Sequence, residues 1–184
     1  SKILGSSLDL TKTFREVLNL LAAHLEIRRG MIILKHEDGA LHLFSAVGLS
    51  RDEIERGIYQ SGEGIVGRIL SSGMPVVVPD ISKEPLFLNR TGALDQHPDV
   101  AIAMIGVPIK AGGEKVGVLA IDRAARRRGA GFNDDVRFLS MIANLIGQAL
   151  SLQRNVSEER EHLMREARRG QPEQRGRITL DNVV

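Results

Sequence analysis

Between Gly62 and Arg90 the chain leaves itself few ways to fold. Gly62-Glu63-Gly64-Ile65-Val66-Gly67-Arg68-Ile69-Leu70 sets three glycines around an apolar run, and Met74-Pro75-Val76-Val77-Val78-Pro79-Asp80 follows at once. Glycine lacks a Cβ, so the backbone can enter and closely pack a short helix there. The Ser71-Ser72-Gly73 step supplies a left-handed cap residue to end that helix. Pro75 and Pro79 bracket a strand of three valines. Proline cannot donate to a ladder, so this strand sits at a sheet edge or ends at a cavity. A long polar loop then runs through Asn89-Arg90, giving the order helix, short strand, lid.

The flanks carry regular patterns. Leu10, Phe14, Val17, Leu18, Leu21 and Leu25 form one apolar helical stripe, with Asp9 placed to cap its start and Gly30 to close it. Leu20 and Ala22 widen the stripe beyond one sheet face, which hints at a second packing partner. Met31 to His36 and Leu41 to Val47 read as an antiparallel pair turning through Glu37-Asp38-Gly39-Ala40. Ser50-Arg51-Asp52-Glu53 matches a reciprocal capping box, with Leu49 and Ile54 as its hydrophobic staple, so a helix is predicted from Arg51 to near Gly57.

From Ile81 to Val100 periodicity disappears, and Pro85, Asn89, Gly92 and Pro98 mark turns, so this stretch is expected to be a gating lid. Ile102 to Lys110 and Val116 to Arg123 form a second hairpin across Ala111-Gly112-Gly113-Glu114. Arg126-Arg127-Arg128 reads as a solvated basic loop. The last helix starts at Asn133, with Asp134 and Asp135 complementing its dipole and Val136, Phe138, Leu139, Ile142, Leu145, Ile146, Ala149 and Leu150 forming a broad face. Beyond it Leu145, Ala149, Leu152, Val156 and Leu163 approximate a four-three seam narrow enough for a helix partner.

With 184 residues and 42% hydrophobic content the chain can bury one sizeable core, so one domain plus an extension is expected. It holds no cysteine, no membrane-length apolar run and no signal peptide, and the expected setting is cytoplasmic. A first residue of Ser1 suggests a fragment. Net charge is +2, from 25 bases against 23 acids, which gives no reason to expect nucleic-acid binding.

Gly-Glu-Gly-Ile-Val-Gly-Arg followed by Val-Pro-Asp-Ile, together with Met104-Ile105-Gly106-Val107-Pro108-Ile109 and Val116-Gly117-Val118-Leu119-Ala120-Ile121, resembles the GAF domain, a small-molecule sensor module. The resemblance is greatest to GAF domains that open NifA-type, sigma-54-dependent activators of nitrogen fixation. It implies an α+β fold: a central antiparallel sheet, the first and last helices on one face, and a ligand pocket under a helix and loop lid on the other. A long C-terminal signalling helix completes it. The implied organisation is a GAF domain over 1–152, a helical linker over 153–170, and 171–184 as the lead-in to an AAA+ ATPase domain that the chain does not include.

The same resemblance makes Arg68, Asp80, Lys83, Asn89 and Arg90 the polar groups expected to line the pocket. Arginine presents a planar fork matched to carboxylate, so a small acid is expected, and the resemblance to NifA-type activators suggests 2-oxoglutarate. Implied partners are the anti-activator NifL or a nitrogen-signal protein. Sigma-54 RNA polymerase and DNA would be reached only through other domains. A homodimer is expected through Leu21, Leu145, Ala149, Leu152 and Val156. The alternatives are a dimerisation module with a vestigial pocket, or a GAF sensor of another signalling protein.

Catalysis is not expected. Without cysteine there is no GAF-type methionine sulfoxide reductase chemistry, no thioether-bound bilin and no cysteine-ligated iron–sulfur sensing. His24, His36, His42, His97 and His162 show no metal-ligand spacing, and His36 and His42 are read as not facing each other squarely, so neither metal nor cofactor is predicted. Gly62-x-Gly64-x-x-Gly67 has dinucleotide-fingerprint spacing but no parallel βαβ unit around it.

Overall fold

The computed structural model describes residues 3–60, 62–92, 101–125 and 131–170. Ser1–Ser151 form one compact unit and Leu152–Val184 a second. The described part of the second unit is helical and carries Leu152, Val156 and Leu163 exposed. The stretch 171–184 and the Arg126-Arg127-Arg128 loop lie outside the described residues, as does the second part of the expected lid, 93–100.

The first unit is built on six antiparallel strands in the order β3-β2-β1-β6-β5-β4. They are β1 (Arg29–Lys35), β2 (Leu41–Val47), β3 (Ile58–Tyr59), β4 (Val76–Val78), β5 (Ile102–Ala111) and β6 (Glu114–Ala124). The helices are α1 (Ile3–Leu25), α2 (Arg51–Arg56), α3 (Gly64–Ser72) and α4 (Asn133–Arg169), with a 3-10 turn over Ile81–Lys83. The valine strand β4 is an edge, as its bracketing prolines require. Gly112 and Gly113 turn β5 into β6 with φ of 57° and 85°, the left-handed pair that a two-residue hairpin demands.

Strand alternation splits the core in two. Ile32, Ile105, Val107, Ile109, Leu119 and Ile121 face α1 and α4, where Phe14, Leu18, Leu21, Leu139, Ala143 and Ile146 cover them. Met31, Ile33, Met104, Val118 and Ala120 face the opposite way and pack under Ile65, Val66, Ile69 and Leu70 of α3. Two glycines bring the helices down onto the sheet. A Cβ at Gly106 would stand 2.4 Å from Ile69 Cδ1, and one at Gly147 would stand 1.9 Å from the Lys110 carbonyl oxygen.

Three local expectations need correction. α1 begins at Ile3, so Asp9 lies inside the helix rather than capping it. It ends at Leu25, where Glu26 turns the chain with φ of 52°, and Gly30 belongs to β1. The reason for Gly30 is packing: a Cβ there would meet the Ile27, Leu18 and Val47 side chains at 3.1 to 3.3 Å. Leu21, expected at a dimer interface, is 2% exposed in the α1 core, and the outward residue is Leu20 at 62%. The capping box at Ser50 is present in both directions, and Gly73 caps α3 at φ 69°.

Candidate functional site

On the α3 face the two central strands bring a charged pair under the helix. Arg29, Met31 and Ile33 are successive same-side positions of β1, and Val118, Ala120 and Asp122 are those of β6. The antiparallel register sets Arg29 opposite Asp122. Arg29 Nη2 lies 2.9 Å from Asp122 Oδ2, with both side chains almost wholly removed from water. Asp122 Oδ1 is also buried, and among the described residues it has no hydrogen-bond partner.

A small cavity of about 20 Å³, room for about one water, opens beside this pair. Met31, Ile65, Val66, Phe87, Leu88 and Met104 give it an apolar body, and Arg29, Tyr59, Asn89, Thr91 and Asp122 supply its polar groups. Tyr59 arrives on β3, which pairs it with Leu41. Burial in this setting pushes the Asp122 carboxyl up from 3.8 to about 6, against the pull of Arg29. Burial, reinforced by the Asp122 charge, raises the Tyr59 phenol to about 12. The cavity therefore combines a fixed cation, a neutral phenol and a carboxyl group that titrates near neutrality.

The roof is held at several points. Gly64, with φ of 61°, leaves room for Leu88, whose Cδ1 would stand 2.8 Å from a Cβ at that position. Arg56 at the end of α2 donates to the Thr91 carbonyl through Nη2 at 2.6 Å and Nε at 3.1 Å. Arg90 forms an ion pair with Glu63 at the start of α3. These bonds tie the first half of the lid to α2 and α3.

Of the five residues expected to line the pocket, only Asn89 does so. Arg68 is exposed on the outer face of α3. Asp80 caps the 3-10 turn through Ser82 and pairs with Lys83 at 3.1 Å, which leaves the Lys83 side chain 82% exposed. The Ser82 hydrogen bond, followed by that to Lys83, holds the Asp80 carboxyl below its ordinary range. Arg90 is taken up by Glu63. Sequence reasoning missed Arg29, Tyr59 and Asp122. The available signal was charge at core-facing phase, since Asp122 continues the inward series of Val118 and Ala120.

A second buried ion pair lies on the opposite sheet face. Arg123 Nη2 stands 2.5 Å from Asp135 Oδ2 off the angle of a hydrogen bond, and its guanidinium lies 5.0 Å from the Phe132 ring centroid. It joins the end of β6 to the first turn of α4. At the β1–β2 turn, His36 and His42 come together with ring centroids 4.7 Å apart and ring planes tilted by 41°, so they are neighbours that do not face each other squarely, as expected.

An antiparallel sheet with α1 and α4 on one face and a lidded cavity on the other is the GAF architecture, and the chain belongs to the GAF domain family, which matches residues 9–150. Along all of its length it is similar to the Nif-specific regulatory protein of Herbaspirillum seropedicae, at 47% identity over 184 residues. It is 53% identical over 176 residues, 95% of the chain, to the protein of the same description from Azospirillum brasilense. It spans 34% and 28% of those two relatives' own lengths. Nitrogen fixation protein VnfA of Azotobacter vinelandii is 38% identical over 83% of the chain and is spanned to 29%. Among solved structures, the A. Aeolicus nlh2 GAF domain in an inactive state is 26% identical with a TM-score of 0.66, over 82% of this chain and 96% of that one. A GAF domain from a Coxiella burnetii phosphoenolpyruvate-protein phosphotransferase shares the fold at 20% identity and a TM-score of 0.68, over 85% and 95% of the two chains.

Proposed function

We propose that this chain is the regulatory sensor domain of a nitrogen-fixation transcriptional activator, working in the cytoplasm and without catalytic activity of its own. Its cavity takes a small metabolite, and occupancy biases an attached AAA+ ATPase acting on sigma-54 RNA polymerase. The observation that carries the sensing role is the roofed cavity in which Asp122 keeps one buried oxygen unpartnered. Leaving such an oxygen unmet is expensive, so a bound group that satisfies it gains affinity. The similarity to Nif-specific regulatory proteins supports the regulatory setting.

The cavity of about 20 Å³ is too small for 2-oxoglutarate as it stands, so binding requires the roof at Phe87 and Leu88 to lift, and the widened site offers one mode. A ligand carboxylate takes the Arg29 fork and accepts a hydrogen bond from Asp122 in its protonated form, with the carbon chain against Met31 and Met104. The anion thus enters together with a proton, because two carboxylates sharing one arginine repel unless one is neutral. Calorimetric titration with 2-oxoglutarate and other small carboxylates tests this reading. Saturable binding that strengthens as pH falls supports it; absence of binding by every small acid rejects it.

A second reading is favoured by the outer surface of the helix layer. Leu20 on α1 and Phe138, Met141 and Leu145 on α4 are exposed in the first unit. Ala149 is half-buried there, while Leu152 and Val156 are exposed in the second unit. Leu20, Met141 and Leu145 of the first unit are proposed as a surface for a second copy of the chain, and Leu152 and Val156 of the second unit, taken by itself, as a further one. NifL or a nitrogen-signal protein is the proposed heterologous partner. Sedimentation of the purified chain distinguishes a homodimer from a monomer awaiting such a partner.

A further inference from the structure

The β1–β2 turn carries three donor side chains that neither the cavity nor the helix layer uses. Leu34 and His42 are register partners, and His36 lies two residues beyond Leu34 on the same strand side. Gly39, at φ 84°, lets the turn close, with its N–H donating to the His36 carbonyl at 3.0 Å and the His36 N–H donating to the Ala40 carbonyl at 2.8 Å. This closure brings the Asp38 carboxylate within reach of both rings. His42 Nε2 lies 3.0 Å from Asp38 Oδ2, and His36 Nδ1 lies 3.5 Å from Asp38 Oδ1.

We propose that His36, Asp38 and His42 form a surface site for a borderline divalent cation, with Zn²⁺ as the physiological candidate. One donor atom from each residue lies within 4.8 Å of the others. In a tetrahedral zinc site neighbouring donors stand about 3.3–3.5 Å apart, so small side-chain rotations suffice. Two imidazoles and one carboxylate suit Zn²⁺, Co²⁺, Ni²⁺ or Cu²⁺ rather than Mg²⁺ or Ca²⁺. The carboxylate is oriented in advance, because Asp38 Oδ1 accepts the Ala40 N–H at 2.8 Å. That same bond, reinforced by the two histidines, holds its carboxyl below the ordinary range, so it is ionised at neutral pH. The side chains are 59%, 53% and 35% exposed, which gives the cation an open approach and leaves a fourth position for water. His42 Nε2 lies within hydrogen-bond distance of Asp38 Oδ2, and on binding each imidazole presents an unprotonated nitrogen to the cation while its ring N–H sits on the other nitrogen.

The test uses the 184-residue chain without a polyhistidine tag, titrated calorimetrically with ZnCl₂. One Zn²⁺ per chain is expected, with tetrahedral visible absorption when Co²⁺ replaces it. His36→Ala or His42→Ala should weaken binding by at least the about 10–100-fold that losing a metal site's outer support costs. His36 is on the exposed turn, so His36→Ala should leave the melting temperature unchanged, while His42 is a half-buried residue of β2 and its variant is read for metal binding at a temperature where it stays folded. As a measurement independent of the variants, Cu²⁺ should broaden the parent's His36, Ala40 and His42 amide signals before any others. No saturable Zn²⁺ binding overturns the proposal, as does binding unchanged in the His36→Ala/His42→Ala double variant. Half a cation per chain with concurrent dimerisation overturns it as well.

Discussion

Arg29 and Asp122 face each other across β1 and β6 at 2.9 Å, and the pair leaves Asp122 Oδ1 buried without a hydrogen bond among the described residues. Burial raises this carboxyl to about 6 from 3.8, so the folded chain holds the proton through a window where the unfolded chain has released it. Stability contributed by Asp122 is therefore full below the unfolded value and is lost as pH rises through about 6. The stability difference between parent and Asp122→Asn should shift toward the parent as pH falls from about 7 to about 4. Urea melts at several pH values check the sign, and a shift the other way would refute the burial argument.

The polar residues outside the cavity should be dispensable for ligand. Lys83→Ala and Arg68→Ala remove exposed groups, and Arg90→Ala removes a partner of Glu63 near the surface. Each should cost about 0–1 kcal/mol of stability, the range of surface ion pairs, and leave 2-oxoglutarate affinity nearly unchanged. Arg29→Gln should lose binding. Calorimetry on the four variants separates the cavity from the outer loop.

Gly147 sits where α4 crosses β5, and the space a Cβ needs is occupied by the Lys110 backbone oxygen. Gly147→Ala should destabilise the first unit by about 1–3 kcal/mol despite alanine's better helix propensity, because the helix must move off the strand. Thermal unfolding tests this. An unchanged or raised melting temperature would show that the interface yields at little cost.

Much of the fold was legible in the residues. The capping box at Ser50, the αL cap at Gly73, the double-glycine hairpin and the edge strand between Pro75 and Pro79 all depend on local stereochemistry, which the sequence writes directly. Ser50→Ala should accordingly cost about 1 kcal/mol, measurable by chemical denaturation. The cavity was less legible. Its key pair joins residues ninety-three positions apart, and Arg29 and Asp122 meet only through the register of β1 with β6. Lys83 and Arg90 were adjacent to the right loop, but nearer acids, Asp80 and Glu63, claim them. Leu21 and Leu20 differ by one helical step, enough to place one in the core and the other outside.

The outer helix surface makes a separate prediction. If copies of the chain associate through it, Met141→Lys with Leu145→Lys should convert a dimer to a monomer while leaving the fold intact, since both side chains are about 60% exposed. Sedimentation velocity reads the outcome. A monomeric parent, or a dimer indifferent to the double substitution, removes this face from the proposed interface.

The most direct test of the cavity uses the methionine methyls as reporters. The chain holds five, of which Met31 and Met104 line the cavity while Met74, Met141 and Met164 are exposed elsewhere. With ¹³C-methyl labelling and a 2-oxoglutarate titration below neutral pH, the Met31 and Met104 signals should move together and saturate while the other three stay in place. Saturable binding that leaves Met31 and Met104 unmoved, or the absence of any shift at millimolar ligand, would contradict the proposal that this buried pair and its cavity form the ligand site.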